Sequence, residues 1–240
     1  MKSYVNDYAE KEDITVPEKY LKIDQTNQQE VLESGLEQVK EQYQALTGEK
    51  LESEMTDEKV LKLGIAGINS LKDLKKFLLQ DYEAEQRRYH FYQLFIPYLL
   101  AFHAETAQAI INQEEFEAFY DDYLEQIEEF AELEDLVLED YAQLKLGLRG
   151  DIHQHLKERA QEDFIFKLIA RNRYDNQEAE LTEIDYEASI QQQVLATGAD
   201  DIELKEQLSY SNFVARMPEI YYTNELYDYF APQFEFHTNF

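Results

Sequence analysis

The stretch Asn112–Phe130, NQEEFEAFYDDYLEQIEEF, decides the fold class. Asn112 followed three residues later by Glu115 has the form of a helix start, since a short polar side chain there satisfies backbone N–H groups that lack partners in the first turn. Beyond it Phe116, Tyr120, Tyr123, Ile127 and Phe130 recur at spacings of four, three, four and three, which places them on one stripe of an α-helix. The remaining positions are mostly Glu and Asp, as a solvated opposite face requires.

The same grammar extends in both directions. Thr26 with Gln29 forms a capping pair, and Leu32, Leu36, Val39, Tyr43 and Leu46 then follow a helical stripe that ends at Gly48. A polar joint over Glu49–Asp57 leads into a short helix carrying Val60, Leu61 and Leu63. Ser70 with Asp73 opens the next helix, where Leu71, Leu74, Leu78, Tyr82, Tyr89 and Tyr92 share a stripe up to Pro97, at which the helix must kink or restart. After the central stretch come a shorter helix through Leu136, Tyr141 and Leu144, and a long one opened by Gly150 and Asp151 through Ile152, Leu156, Phe164, Leu168 and Ile169, with a turn expected over Asn172–Gln177. Thr182 with Asp185 caps a helix to Gly198, a short helix follows over Ile202–Leu208, and a last one begins near Ser211 with Pro218 inside it. Before Asp24 the chain reads as an arm or a single edge strand around Ile14, Val16 and Tyr20–Ile23, and the tail Pro232–Phe240 is aromatic without a pattern. The expectation is an all-α, multi-helix protein, and only 7 Gly and 4 Pro in 240 residues leave few of the turns that a sheet-rich fold needs.

Composition narrows the function. With 51 Asp and Glu against 22 Lys and Arg the formal charge is −29, which repels a phosphate backbone and an anionic bilayer; nucleic acid and membrane are not expected partners. The apolar run Phe91–Phe102 is interrupted by Gln93 and Pro97 and is too short to span a bilayer. The absence of Cys removes disulfides, thiolate metal sites and cysteine nucleophiles, and with no signal-peptide pattern over Met1–Glu12 a cytoplasmic location is expected.

Catalytic motifs are lacking: no phosphate-binding glycine loop, dinucleotide fingerprint, His-Glu-x-x-His, Gly-x-Ser-x-Gly or calcium loop occurs. No His has Glu three positions before it, as a di-iron helical bundle would require, and His153 and His155 point apart on a helix; His90, His103 and His237 have no such partner either. The pairs Asp121-Asp122, Glu128-Glu129 and Asp200-Asp201 are what a solvated acidic face produces. The expectation is no enzyme, no catalytic residue, no cofactor and no metal.

The 18 Tyr and 14 Phe, with no Trp, stand out because Tyr joins an apolar face to a polar tip and suits surfaces that meet varied partners. Tyr221, Tyr222, Tyr227, Tyr229, Phe230, Phe234 and Phe236 crowd beyond what one buried helix stripe can use, which marks them as candidate polypeptide-binding residues; docking of this tail into the protein's own core is the rival reading.

The order of these segments resembles the C-terminal chaperone domain of bacterial trigger factor. Thr26–Leu46 is similar to that family's linking helix. Met55-Thr56-Asp57-Glu58 followed by Ser70-Leu71-Lys72-Asp73-Leu74-Lys75 resembles its return from the isomerase domain. Asn112–Phe116 looks like the start of the first helical arm, Leu138-Glu139-Asp140-Tyr141 like the family's Leu-x-x-Tyr turn, Glu162–Asp175 with Phe166–Ala170 like the helix ending arm one, and Leu181–Asp185 like the opening of arm two. The resemblance implies an N-terminal arm over residues 1–25, then a chaperone domain over 26–240. That domain would comprise a linking helix (26–48), a long kinked helix (70–111) and two arms (112–177 and 178–240) forming a cradle.

Only the short joint between Leu46 and Asp57 stands where the family has an FKBP-like isomerase domain, and no ribosome signature precedes Thr26, so isomerase activity and ribosome docking are not carried over. The implied function is ATP-independent holding of unfolded or nascent polypeptides, with strong acidity keeping loaded complexes soluble and a second copy of the chain as a further candidate partner. Two other readings stay open: a dedicated adaptor or regulatory partner for one protein, and an acidic mimic of nucleic acid.

Overall fold

The computed structural model describes residues 2–24, 27–48, 54–176, 182–197 and 200–237. Thr26, residues 49–53 of the polar joint, residues 177–181 and Gly198 lie outside the described residues. In chain order the elements are β1 (Tyr4–Val5), β2 (Lys22–Asp24), α1 (Gln28–Thr47), α2 (Asp57–Lys62), α3 (Leu71–His90), a π-helical turn (Phe91–Phe95), α4 (Ile96–Thr106), β3 (Ala109–Ile110) and α5 (Gln113–Leu133). There follow α6 (Leu138–Leu144), α7 (Ile152–Asp175), α8 (Glu183–Thr197), α9 (Asp201–Gln207), α10 (Tyr210–Phe230) and β4 (Glu235–His237). The fold is all-α, with strands of two or three residues. Among the described residues no helix is long and apolar enough to cross a membrane.

The helix starts are chemical. The Asn112 side chain accepts from the backbone N–H of Glu114 and Glu115, and that of Asp151 accepts from Gln154. At Ser70 the hydroxyl accepts from the Asp73 N–H at 3.2 Å and donates to the Asp73 carboxylate at 2.7 Å; the Thr182 hydroxyl likewise donates to Asp185 at 2.8 Å. Helix α1 begins one residue later than expected, at Asn27, whose side chain accepts from Gln29 N–H. Helix α7 continues to Asp175 through residues expected to form a turn.

The chain divides into two compact units, one of residues 15–96 and 230–240 and the other of residues 1–14 and 97–229. The expected N-terminal arm is thus shared between them, and both parts are tied into structure.

In the unit of residues 15–96 and 230–240, α1 packs on α3 at Gly35, where a Cβ would come within 3.2 Å of Leu78. Val39, Tyr43, Met55, Val60, Ile68 and Leu74 fill the core beside this contact. Asp57, at the start of α2, accepts from the Leu71 N–H at 2.6 Å and so sets α2 against the entry of α3. Along α3 the expected stripe fails in its second half: Tyr89 and Tyr92 are exposed, while His90 and Phe91 are buried. Steps of four from Leu74 through Leu78 and Tyr82 lead to Gln86 and then His90, and His90 is accepted inside because its Nε2 lies 2.7 Å from the Tyr20 carbonyl. The π turn follows, with Ile96 N–H reaching Phe91 O. It precedes Pro97, which lacks an N–H for the helical ladder.

The tail is also ordered here. β4 pairs in parallel with β2, Ile23 opposite Phe236, and Phe230 and Phe234 meet Phe95 in tilted and edge-on contacts at 4.8 and 5.3 Å between ring centroids.

In the unit of residues 1–14 and 97–229, β1 pairs antiparallel with β3. Ser3 is buried, its N–H donating to Glu115 at 2.6 Å and its hydroxyl accepting from Asn112 N–H at 2.9 Å. Helices α5 and α7 pack face to face through Phe116, Phe119 and Phe164. Around Ala142, Leu148, Ile152 and Leu156 a second group of apolar residues joins α6 to this pair, and a third of Tyr186, Ile190 and Phe213 joins α8 to α10.

Phe95 is fully buried among rings contributed by residues far apart in sequence. Phe95→Ala should therefore destabilise the protein by about 3–5 kcal/mol in urea unfolding, whereas Leu144→Ser, at an exposed position, should change it by less than about 0.5 kcal/mol.

Candidate functional site

The seven aromatic residues marked in the sequence separate by burial. Tyr222, Phe230 and Phe234 are core residues at 2% exposure or less; Tyr227, Tyr229 and Phe236 are half-buried, and Tyr221 is 41% exposed. Phe236 lies under the Arg87 guanidinium at 4.7 Å, and Tyr221 meets the edge of Tyr174. Tyr222 stacks on Phe166 at 5.1 Å, and its hydroxyl lies 3.2 Å from His103 Nε2 in a fully buried contact.

This contact sits beneath an ionic clamp that sequence reading missed. Arg173 of α7 bonds Glu225 of α10 through two nitrogens, Nε at 3.1 Å and Nη2 at 2.6 Å, reaches Glu10 with Nη1, and covers the Tyr222 ring at 5.1 Å. Lys11 also bonds Glu225, so the N-terminal segment, α7 and α10 meet at one planar guanidinium. Burial pushes the Glu225 carboxyl up, but the bonds from Lys11 and Arg173 outweigh it and the net shift is down. Burial, then the Arg173 charge, holds His103 at about 4, so it is neutral in the folded protein near neutral pH. His90 and His103 are both buried, and among the described residues no group of three or more His, Asp or Glu could hold a metal ion.

Two clefts flank α10. One, of about 440 Å³, runs along α8 and α10 and is lined by Phe213, Met217 and Ile220 with Asp185 at its rim. The other, of about 410 Å³, lies where α5, α7 and α10 meet. Its walls are Phe119, Tyr123, Phe166 and Ile220, and its charged groups are Asp122, Asp163, Glu219, Lys167 and Arg216. Burial pushes Asp163 up to about 6, with Glu162 and Glu219 adding to the shift and Lys167 and Arg159 opposing it.

Beyond these clefts, apolar side chains face water around the turn from α5 to α6. Leu133 is 81% exposed and Leu144 71%, with Val137 at 61% and Phe130 at 50%. The Lys145–Glu134 ion pair at 2.8 Å holds the end of α6 beside the end of α5, so these residues surround one tip. Compared with protein-family models, curated proteins and solved structures, the chain matches none.

Asp163 is raised in the folded protein, so its ionised form costs stability above pH 6, and the cost is relieved as the pH falls toward 3.8, where the unfolded chain also takes up the proton. Asp163→Asn should accordingly raise stability at neutral pH by about 1–3 kcal/mol, with the gain shrinking between pH 6 and 4, as read by thermal unfolding at a series of pH values.

Proposed function

We propose that this protein binds unfolded or partly folded polypeptides without ATP, holding them on apolar surface until they are released. The observation that carries the reading is the open tip of α5 and α6, where Phe130, Leu133, Val137 and Leu144 face water on helices otherwise covered in carboxylates. Apolar groups exposed in this way bury area on contact with almost any extended chain, whose side chains need no single register. The cleft along α8 and α10 adds Met217, a flexible side chain that adapts to varied partners.

The charge of −29 complements this surface. It keeps copies of the protein apart although each exposes apolar side chains, and it keeps a loaded complex soluble. Affinity at each contact is weak because association costs offset most of the area buried, and weak contacts allow release without a nucleotide cycle. The similarity in segment order to the trigger factor chaperone domain points the same way.

Diluting a chemically denatured protein into buffer should give less light scattering when stoichiometric amounts of this chain are present and ATP is absent. Replacing Leu133, Val137 and Leu144 together by Ser should weaken that suppression several-fold while leaving circular dichroism and thermal unfolding within about 0.5 kcal/mol per site. Absence of suppression by the folded wild-type protein at several-fold excess would sink general holding and favour a partner protein of a single kind.

A further inference from the structure

The charge of this chain is not evenly spread. From Lys59 to Gln80 the sequence carries five lysines and a single carboxylate, Asp73, whereas the whole chain holds 51 Asp and Glu against 22 Lys and Arg. Three of these lysines, Lys72, Lys75 and Lys76, lie exposed on the first two turns of α3, at spacings that put them on one face with the half-buried Leu79.

None of the three makes a hydrogen bond or an ion pair among the described residues. Elsewhere lysines of this chain do find carboxylates: Lys40 pairs with Glu37 at 3.0 Å, Lys145 with Glu134 at 2.8 Å and Lys157 with Glu117 at 2.9 Å. Along α3 the only carboxylate within one turn of the three lysines is Asp73, and it is engaged at the helix start, accepting from the Ser70 hydroxyl at 2.7 Å and from the Asn69 N–H at 3.4 Å. The pattern is local, since farther along the same helix Glu83 meets Arg87 at 3.7 Å. Exposed faces elsewhere follow the acidic composition, and α5 has no Lys or Arg at all. Like charges at this spacing repel one another, so the three lysines cost the helix a little and gain nothing within it.

Charge, length and the apolar centre select the partner. Lys72 to Leu79 covers about 10 Å of helix, close to the distance over which an exposed charge acts at physiological ionic strength. Past that distance the surface turns acidic: Glu30, Asp81 and Glu85 line the groove where α1 meets α3. A nucleic acid duplex or an anionic bilayer laid on the lysines would meet those carboxylates too, whereas a short acidic segment meets only the lysines. Leu79 at the centre favours an apolar side chain, which a phosphate backbone does not offer, and lysine ammoniums lack the planar fork that grips phosphate with two bonds. We propose that the Lys72–Leu79 face of α3 docks an acidic amphipathic helix of a partner protein, with carboxylates at the three lysines and an apolar side chain on Leu79. This face belongs to the unit of residues 15–96 and 230–240 and the α5–α6 tip to the other, so docking here does not depend on polypeptide holding.

The test is fluorescence anisotropy of the full chain with a labelled peptide of about four helical turns, its glutamates set at helical spacing around leucines, and with the counterpart in which every glutamate is glutamine. The glutamate peptide should bind saturably and more weakly as salt rises from about 50 to 300 mM, and the glutamine peptide should bind at least about five-fold more weakly. Replacing Lys72, Lys75 and Lys76 together by Gln should lower affinity for the glutamate peptide at least about five-fold. Replacing Lys40, Lys145 and Lys205 together by Gln, which changes the net charge equally, should lower it less than about two-fold. Circular dichroism verifies that both variants fold. Equal binding of the two peptides, equal loss in the two triple variants, or no saturation up to about 1 mM peptide would overturn the proposal. So would tighter binding of a short DNA duplex or of phosphatidylserine vesicles than of the glutamate peptide, lost on replacing Lys72, Lys75 and Lys76, which would give the face to a polyanion or a membrane. Suppression of light scattering by the wild-type chain is read separately, so failure here leaves polypeptide holding standing.

Discussion

The unit of residues 1–14 and 97–229 depends on the guanidinium of Arg173. Its planar fork bonds Glu225 with two parallel contacts, Glu10 with a third nitrogen, and lies on the Tyr222 ring, so one side chain joins the N-terminal segment, α7 and α10. A lysine could not replace it, since a single ammonium cannot make the bidentate contact and cover a ring at the same time. In a chain with so large an excess of carboxylates, a cation at the centre has a further effect. It turns two acidic residues that would otherwise repel each other into the attachment of a segment with little apolar content, and Lys11 completes the neutralisation of Glu225. Beneath it, His103 stays neutral because a positive charge there would be stripped of water and, to a lesser degree, repelled by Arg173.

Local chemistry made much of the fold legible in the sequence, while contacts between distant residues made the rest opaque. The starts at Ser70, Asn112, Asp151 and Thr182 were readable because a cap is settled within four residues. The inward turn of α3 at His90 was not, because what admits a histidine to the interior is the Tyr20 carbonyl, seventy positions away. The strand at Glu235–His237 was hidden for a related reason: three residues carry no periodic signal, and the strand exists only by pairing with Lys22–Asp24. The aromatic tail shows how burial cuts across composition. Tyr221 and Tyr222 are adjacent and identical, yet one is partly open to water and the other closed, since neighbouring positions on a helix point about 100° apart. Asp163 was likewise invisible among so many acidic residues, and only its neighbours across α5 and α10 set it apart.

Carboxylates in this protein thus do three different kinds of work. Those on the exposed faces of α5 supply charge at little cost, being solvated. Glu10, Glu115 and Glu225 hold the chain together, each accepting from a specific donor, and Glu115 is kept ionised by the backbone and hydroxyl of Ser3. Asp163 belongs to neither group. It is drawn partly out of water, and Glu162 and Glu219 oppose its ionisation, so the folded state carries its charge at a loss.

A residue that costs stability in this way is easily removed by substitution, since Asn has the same shape and none of the charge. The apolar tip obeys the same logic with the opposite chemistry. Leu133 and Leu144 gain nothing for the folded chain by facing water, and polar residues there would satisfy the helices equally well. In both places the structure keeps side chains that contribute nothing to folding, and at the tip these are the apolar groups that the proposed holding of polypeptides would use.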